Sequence, residues 1–515
     1  MFKSVLTVGF YTTISRILGF IRDIFIASYL GSTFVADAFF VAFRLPNYFR
    51  RIFAEGAFSA AFIPILSGLI RKPKNDKEVI DFVQNTMSIL FYIIILILII
   101  FHFIMPYIIA MLAPGFLDDS ETYKLAIHFG KIIFPYLLFV SLVAQFSSIT
   151  NTYNRFAFGA FAPALLNIAF IGGLIFLTPF LQTPGHALSY SVLIGGLAQF
   201  IIMYFAIYKL QIKPVLILPK IDDKTKNFFK LFVPGIVSAG AIQLNIIVGT
   251  IIASFLATGA ISHLYYADRI TQLPLAIFGI ALGIVLLPKL SNYIKQEESL
   301  DKIFNIQNRS LEFALLISAP AAVGLYFLSE PIIEILFERD AFNSVDTYYT
   351  ASLLSIFSLG LPAYILIKVF SPSFFSREDT RTPLKITLIC VMINIVISLL
   401  LVGNFREIGI AIATTISSWI NALILFIVLK LRGHLNIDKK LKTNFLKIIF
   451  CTIVTSFVIL LLREVFITEI SGINVLIDFT SLIASILIVI IIFAYMVFML
   501  KIYSIDEIKK ILKKN

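Results

Sequence analysis

Long apolar runs separated by short polar loops set the pattern of this chain. Runs of about 20 residues or more, enough to cross ~30 Å of hydrocarbon as a helix, recur fourteen times. They lie near 4–30, 35–69, 80–112, 122–150, 157–180, 185–208, 227–256, 261–291, 305–328, 345–370, 383–403, 407–429, 444–466 and 474–500. The pattern predicts an all-α integral membrane protein with fourteen transmembrane helices, called spans 1 to 14 below. The loops between them are short, so function is expected inside the bilayer rather than in an extramembrane domain.

The loops alternate in charge. One set holds Arg71, Lys72, Lys74 and Lys77, then Arg155, Lys209 through Lys230, and Lys289, Lys295 and Lys302. It continues with Arg377, Arg381, Lys430 through Lys447, and a tail from Lys501 to Lys514. The opposite set has few cations (Lys124, Arg339, Arg406, Arg463) and carries the acidic clusters Asp118-Asp119-Glu121 and Glu330-Glu334-Glu338. Cytoplasmic loops are the basic ones, which predicts both termini on the cytoplasmic side. Arg16, Arg22 and Asp23 interrupt the first apolar stretch and no small-residue cleavage site follows, so it reads as a retained first helix.

The pattern also repeats. IASYLGSTFVADAFFVAFRL at 26–45 parallels IASFLATGAISHLYYADRI at 252–270, and Pro64-Ile65-Leu66-Ser67 parallels Pro288-Lys289-Leu290-Ser291. The offset stays between 224 and 226 residues, as a duplication would leave it. Spans 1–6 and 7–12 are then two lobes of the same orientation, because six is even. Parallel repeats of this kind are a transporter architecture. The expected organisation is an N-terminal lobe at 1–209, a cytoplasmic linker at 210–226 and a C-terminal lobe at 227–430. Spans 13 and 14 with a basic cytoplasmic tail, at 431–515, stand outside the repeat.

Composition agrees: 59% of residues are hydrophobic and 14% charged, too few charges to coat a soluble chain of 515 residues. The net charge of +12 reflects membrane topology rather than nucleic-acid binding. Cys390 and Cys451 lie far apart inside apolar runs and form no metal or redox motif.

Charge inside the spans changes the picture most. Span 1 carries Arg16, Arg22 and Asp23; span 2 carries Asp37, Arg44, Arg50, Arg51 and Glu55; span 8 carries Asp268 and Arg269. Lys131 and Lys368 sit in spans 4 and 10. A mid-membrane charge costs ~2.5–3.5 kcal/mol even on a lenient scale, so these groups face water or partners. Local pairing accounts for some of them: Arg22 with Asp23, Arg51 with Glu55, Asp268 with Arg269. The cations still outnumber the acids, which points to a cationic cavity for an anionic ligand, and arginine suits bidentate recognition of phosphate. Arg16 and Arg22 are aimed ~120° apart on a straight helix, unless Gly19 bends it. Asp37, Arg44 and Arg51 fall seven apart on one stripe with Arg50 off to the side, and spacing leaves open which of Arg50 and Arg51 faces the cavity.

Other signals are weaker. Gly279 and Gly283 read as a packing motif. The histidines His102, His128, His186, His263 and His434 do not cluster in the sequence, so no metal site or cofactor is expected. Gln243, Asn245, Asn394, Thr414 and Asn421 read as helix–helix glue or as a cation path.

The run SRILGFIRD at 15–23 resembles the first-helix signature of the MurJ (MviN) lipid II flippases. ADAFFVAFRLPNYFRRIFAEGAFSAAFIP at 36–64 and LYYADRITQLP at 264–274 resemble that family too. The resemblance extends over the whole chain. It implies the multidrug/oligosaccharidyl-lipid/polysaccharide exporter fold and no enzyme activity. The implied task is to move undecaprenyl-diphosphate-linked peptidoglycan precursor from the cytoplasmic to the periplasmic leaflet of the bacterial inner membrane by alternating access. It implies that Arg16, Arg22, Arg50 and Arg269 bind substrate, which favours Arg50 over Arg51. Asp23, Asp37, Arg44, Arg51, Glu55 and Asp268 are then gate or cavity residues, and the two extra helices form a groove for the polyprenyl tail. Some members bind a cation through acidic groups in the C-terminal lobe. Here spans 7, 11 and 12 are read as lacking Asp and Glu and offering only Gln243, Asn245, Asn394, Ser398 and Thr414. The implied partners are lipid II, membrane lipids and the cell-wall synthesis machinery, with no nucleic acid.

Two rival readings remain. A flippase for another polyprenyl-diphosphate-linked oligosaccharide, of the O-antigen type, fits the same physics, and only the motifs in spans 1 and 2 separate it. A membrane-embedded glycosyltransferase would need a catalytic carboxylate, for which Asp37 is the one candidate, and nothing completes a site around it.

Overall fold

The computed structural model describes residues 2–52, 58–70, 76–464 and 475–502. Among them the chain forms seventeen α-helices: α1 Phe2–Leu30, α2 Phe34–Ile52, α3 Phe58–Ile70, α4 Asp76–Leu112, α5 Ser120–Ile133, α6 Tyr136–Thr152, α7 Ala157–Phe176, α8 Pro184–Tyr208, α9 Asp223–Ser254, α10 Ala260–Pro274, α11 Ile280–Lys295, α12 Leu300–Phe327, α13 Ser329–Phe337, α14 Ser344–Phe375, α15 Arg381–Leu431, α16 Lys439–Leu462 and α17 Val475–Met499. The one bridge between extended residues among those described joins Arg339 to Phe342. Among the described residues, nine stretches of helix are long and apolar enough to cross a bilayer unaided. The strongly charged α2 and the short α10, of 15 residues, fall outside that set. The predicted all-α membrane fold is the observed one.

Local chemistry sets where several helices begin. Asp119 caps α5, accepting from the backbone N–H of Glu121 at 3.1 Å and of Thr122 at 3.3 Å. Its bond from the Thr122 hydroxyl outweighs burial and lowers its pKa. Asp222 caps α9, Asp438 caps α16, and Asn343 with Asp346 forms a capping box at α14. Prolines 46, 64, 106 and 163 sit inside helices that a soluble protein would rarely tolerate, as bilayer helices permit.

Spans 11 and 12 run together as α15, whose backbone breaks at Arg406 (φ 49°, ψ −133°). The helix folds back there. The Asn394 amide bonds the Thr414 hydroxyl at 3.2 Å, whereas twenty residues of straight helix would separate them by ~30 Å. Span 8 is likewise compound: α10 passes through a π-helical turn at Leu275–Gly279 into α11.

By packing, the chain divides into two units, 1–262 with 339–342, and 263–338 with 343–515. The first includes α9, the opening helix of the second repeat, so the packing boundary falls later than the repeat boundary. Its core holds an aromatic cluster of Phe58, Phe62, Phe82, Phe228 and Phe232 from α3, α4 and α9, with Phe58 and Phe62 stacked at 5.1 Å and Phe62 and Phe82 at 5.2 Å. The linker after α8 is extended and pinned along α4. The Asn85 amide spans it by donating to the Lys220 carbonyl (2.6 Å) and accepting from the Lys220 N–H (2.7 Å), and the Ser88 hydroxyl accepts from the Ile217 N–H at 2.8 Å.

The second unit buries Leu286, Leu290, Leu311, Leu361, Leu425 and Leu429. There α16 is tied to α12 by polar contacts. Fully buried Glu312 accepts from the Asn444 amide at 2.8 Å and pairs with Arg309, which also reaches Asp438. Gly279 and Gly283 face Lys368 of α14, the packing contact expected of them.

Candidate functional site

In the first unit the charged stripe of α2 runs along α9. Asp37 is 3% exposed. It accepts from the Gly259 N–H (2.6 Å), the Ser262 N–H (2.9 Å) and the Ser262 hydroxyl (2.5 Å), closing off the helix start at Ala260. Arg44 reaches the Thr250 hydroxyl, and Arg51 donates to the Gln243 side-chain oxygen at 3.4 Å. Partners at 250 and 243 descend as 44 and 51 rise, so α2 and α9 run antiparallel along this row, and Asp37 continues it onto the loop after α9 and the start of α10. The stripe read from the sequence therefore faces α9. Arg50, off that stripe, bonds Asn47 of its own helix at 3.2 Å.

On α1 the two arginines part company, as a straight helix requires. Arg16 is exposed. Arg22 is buried, bonding Asp23 through Nη2 at 2.6 Å and the Asn167 oxygen of α7 through Nη1 at 2.9 Å, with its guanidinium over the Phe170 ring. Asn167 in turn donates to the Ser15 carbonyl at 2.9 Å. Gly19 makes this approach possible: a Cβ there would stand 3.3 Å from the Asn167 amide nitrogen. Its role is close packing within one continuous helix.

In the second unit Arg269 stacks on Tyr265 at 5.6 Å, and the exposed Asp268 accepts from Gln272 at 2.5 Å. Asn394 donates to both Thr414 and Ser417 across the α15 fold-back, the contact that a gluing role needs. Gln243 is taken up by Arg51 in the first unit. Glu55 and the side chain of Asn245 lie outside the described residues.

Two readings of the sequence need correction. Span 12 does contain an acid: Glu407, one residue past the Arg406 break and 4% exposed. And histidines do cluster in space. The His128 and His186 rings lie 5.2 Å apart, and buried His263 sits between Asp346 (3.2 Å) and Glu407 (3.4 Å). His128 and His186 come from α5 and α8, and the His263 trio from α10, α14 and α15, so spacing in the sequence carries no signal of either. The described residues hold no set of three such side chains arranged for a metal.

The family profile described as Lipid II flippase MurJ matches residues 26–479. A probable lipid II flippase MurJ of Rhizobium tropici is 42% identical over 84% of this chain and 81% of its own length. One from Rickettsia prowazekii is 36% identical over 99% of this chain and 100% of its own. The solved structure "Lipid II flippase MurJ, inward closed conformation" superposes with TM-score 0.80 at 30% identity, covering 96% of this chain and 99% of that one. An inward-facing multidrug resistance MATE transporter shares the fold, with TM-score 0.66 at 14% identity over 81% of this chain and 94% of its own.

Proposed function

The chain belongs to the lipid II flippase MurJ family, and from that premise we infer how it works. It is an integral, multi-pass membrane protein that carries lipid II across the bilayer. The observation that carries this reading is the family match over nearly the whole chain, joined to the surplus of arginines in α1, α2 and α10.

In the finer reading, transport runs from the cytoplasmic to the periplasmic leaflet of the bacterial inner membrane, with both termini cytoplasmic. The loop charges support that orientation. The sequence repeat supports two lobes, 1–209 and 227–430, that expose the substrate to each face in turn. Arg16, Arg50 and Arg269 bind the diphosphate by charge-assisted, bidentate hydrogen bonds. Arg22 joins them with its guanidinium shared between Asp23 and the phosphate, so that the buried carboxylate keeps its cation. Arg44 and Arg51 act as gate residues by holding α2 against α9, and Asp37 by holding it against the start of α10. Asp268 and Glu55 are assigned to the gates and cavity on the family resemblance, as is contact with the cell-wall synthesis machinery.

Depletion in the native bacterium, with an assay for lipid II in the outer leaflet, tests the activity. Accumulation in the inner leaflet is expected, restored by the wild-type chain. Unchanged outer-leaflet lipid II on depletion would reject it.

A further inference from the structure

The His263 trio lies apart from the arginines. His263 is in the first turn of α10, Asp346 in the first turn of α14, and Glu407 at the fold-back of α15, all at the end of the helices that the loop charges assign to the outside. All three are buried: 5%, 8% and 4% exposed. Imidazole Nε2 stands 3.2 Å from Asp346 Oδ1 and Nδ1 3.4 Å from Glu407 Oε1. The other Asp346 oxygen accepts from the Asn343 N–H at 3.1 Å.

A carboxylate only accepts, and a neutral imidazole has one N–H. With both acids ionised and the ring neutral, one buried contact sets a lone pair against a lone pair. That leaves two negative charges in a site nearly free of water, an expensive arrangement. One added proton removes the conflict wherever within the trio it resides, because the three groups titrate as a unit. The remaining neighbours do not supply that proton. Tyr349 of α14 stacks its ring on the imidazole at 5.4 Å. Glu338, at the end of α13, is taken up by the Thr347 hydroxyl at 2.6 Å. Arg406 adjoins Glu407 in the chain and offsets part of the negative charge.

We propose that His263, Asp346 and Glu407 form a proton-binding site that locks the outer ends of α10, α14 and α15 together. Proton uptake stabilises the arrangement seen here, and rising pH releases it. This claim is independent of what the transporter carries.

Thermal unfolding of the purified full chain in detergent tests it across about pH 5 to 8, the range in which histidine titrates. The Asp379–Arg432 pair in the loops does not confound that window. Burial would raise the Asp379 pKa, but bonds from Thr382 and Arg432 hold it at about 2, so it stays ionised throughout. The wild type should lose stability as pH rises through the window. His263→Gln, which keeps a hydrogen-bond donor but no titration, should lose that dependence. Glu407→Gln removes one of the two anions and should move the transition about one unit to lower pH. If His263→Gln fails to fold, Glu407→Gln decides alone. A profile unchanged from wild type in every variant that folds overturns the proposal.

Discussion

At the scale of single residues, Arg22 carries two demands. It is the best-buried of the membrane arginines, and its guanidinium is fully engaged by Asp23, Asn167 and the Phe170 face. Truncating it takes the cation away from a buried carboxylate, and breaking a buried pair from one side costs about 3–5 kcal/mol. Arg22→Ala should therefore lower membrane levels and thermal stability, whereas exposed Arg16→Ala should leave both near wild type. The double variant Arg22→Ala/Asp23→Ala should regain most of the stability yet still fail to transport lipid II. Transport by that double variant would show that Arg22 serves packing alone. The Arg22–Asp23 pair was legible because the partners are adjacent. Asn167 was not: it lies 145 residues downstream, and only the close packing at Gly19 brings it within reach. The same limit hid the His263 trio, whose members share no helix. The stripe of Asp37, Arg44 and Arg51 could be read because heptad spacing fixes a face, but its partner, α9, is set by tertiary packing alone.

Elements were legible wherever hydrophobic pattern and capping chemistry agreed, as at Asp119, Asp222 and the Asn343 capping box. They were less so where an apolar run conceals an internal break. Nothing in the pattern marks the π-helical turn at Leu275–Gly279, and the division of span 4 into α5 and α6 shows only as Pro135. The linker after α8 is the clearest case of structure without pattern. Its charged sequence suggests a loose tether, yet the polar row Gln84, Asn85 and Ser88 on α4 holds its backbone. Asn85 is 4% exposed and satisfies three groups, the Lys220 N–H and carbonyl and the Thr225 hydroxyl. Asn85→Ala removes the partners of the Lys220 N–H and carbonyl, at about 0.5–1.5 kcal/mol for each bond lost. A lower unfolding midpoint and faster proteolysis between Lys209 and Asp222 are expected. A linker as resistant as wild type would mean these bonds are dispensable.

For the molecule as a whole, the question is what drives transport outward. A diphosphate brings about two negative charges, and the arginines proposed to bind it are fixed in the protein. With the inside negative, moving that anion outward across the field gains ~2.3 kcal/mol per charge per 100 mV, so about 4–5 kcal/mol for two charges as an upper bound. That suffices to bias a cycle without a co-transported metal cation. The polar cluster in the C-terminal lobe fits such a mechanism: Asn394, Thr414 and Ser417 are neutral and already bonded to one another across α15. The acid that reading the spans had missed, Glu407, is taken up by His263 instead. The membrane potential alone is therefore predicted to sustain lipid II export. Collapsing it with valinomycin and potassium, at fixed sodium and equal pH on both sides, should slow flipping sharply in vesicles containing the full chain. Repeating the assay with His263→Gln separates the two influences, because that variant should keep its dependence on potential while losing its dependence on pH. Undiminished transport at zero potential, or a strict requirement for sodium, would reject the mechanism and turn attention back to Gln243, Asn394 and Thr414 as a cation path.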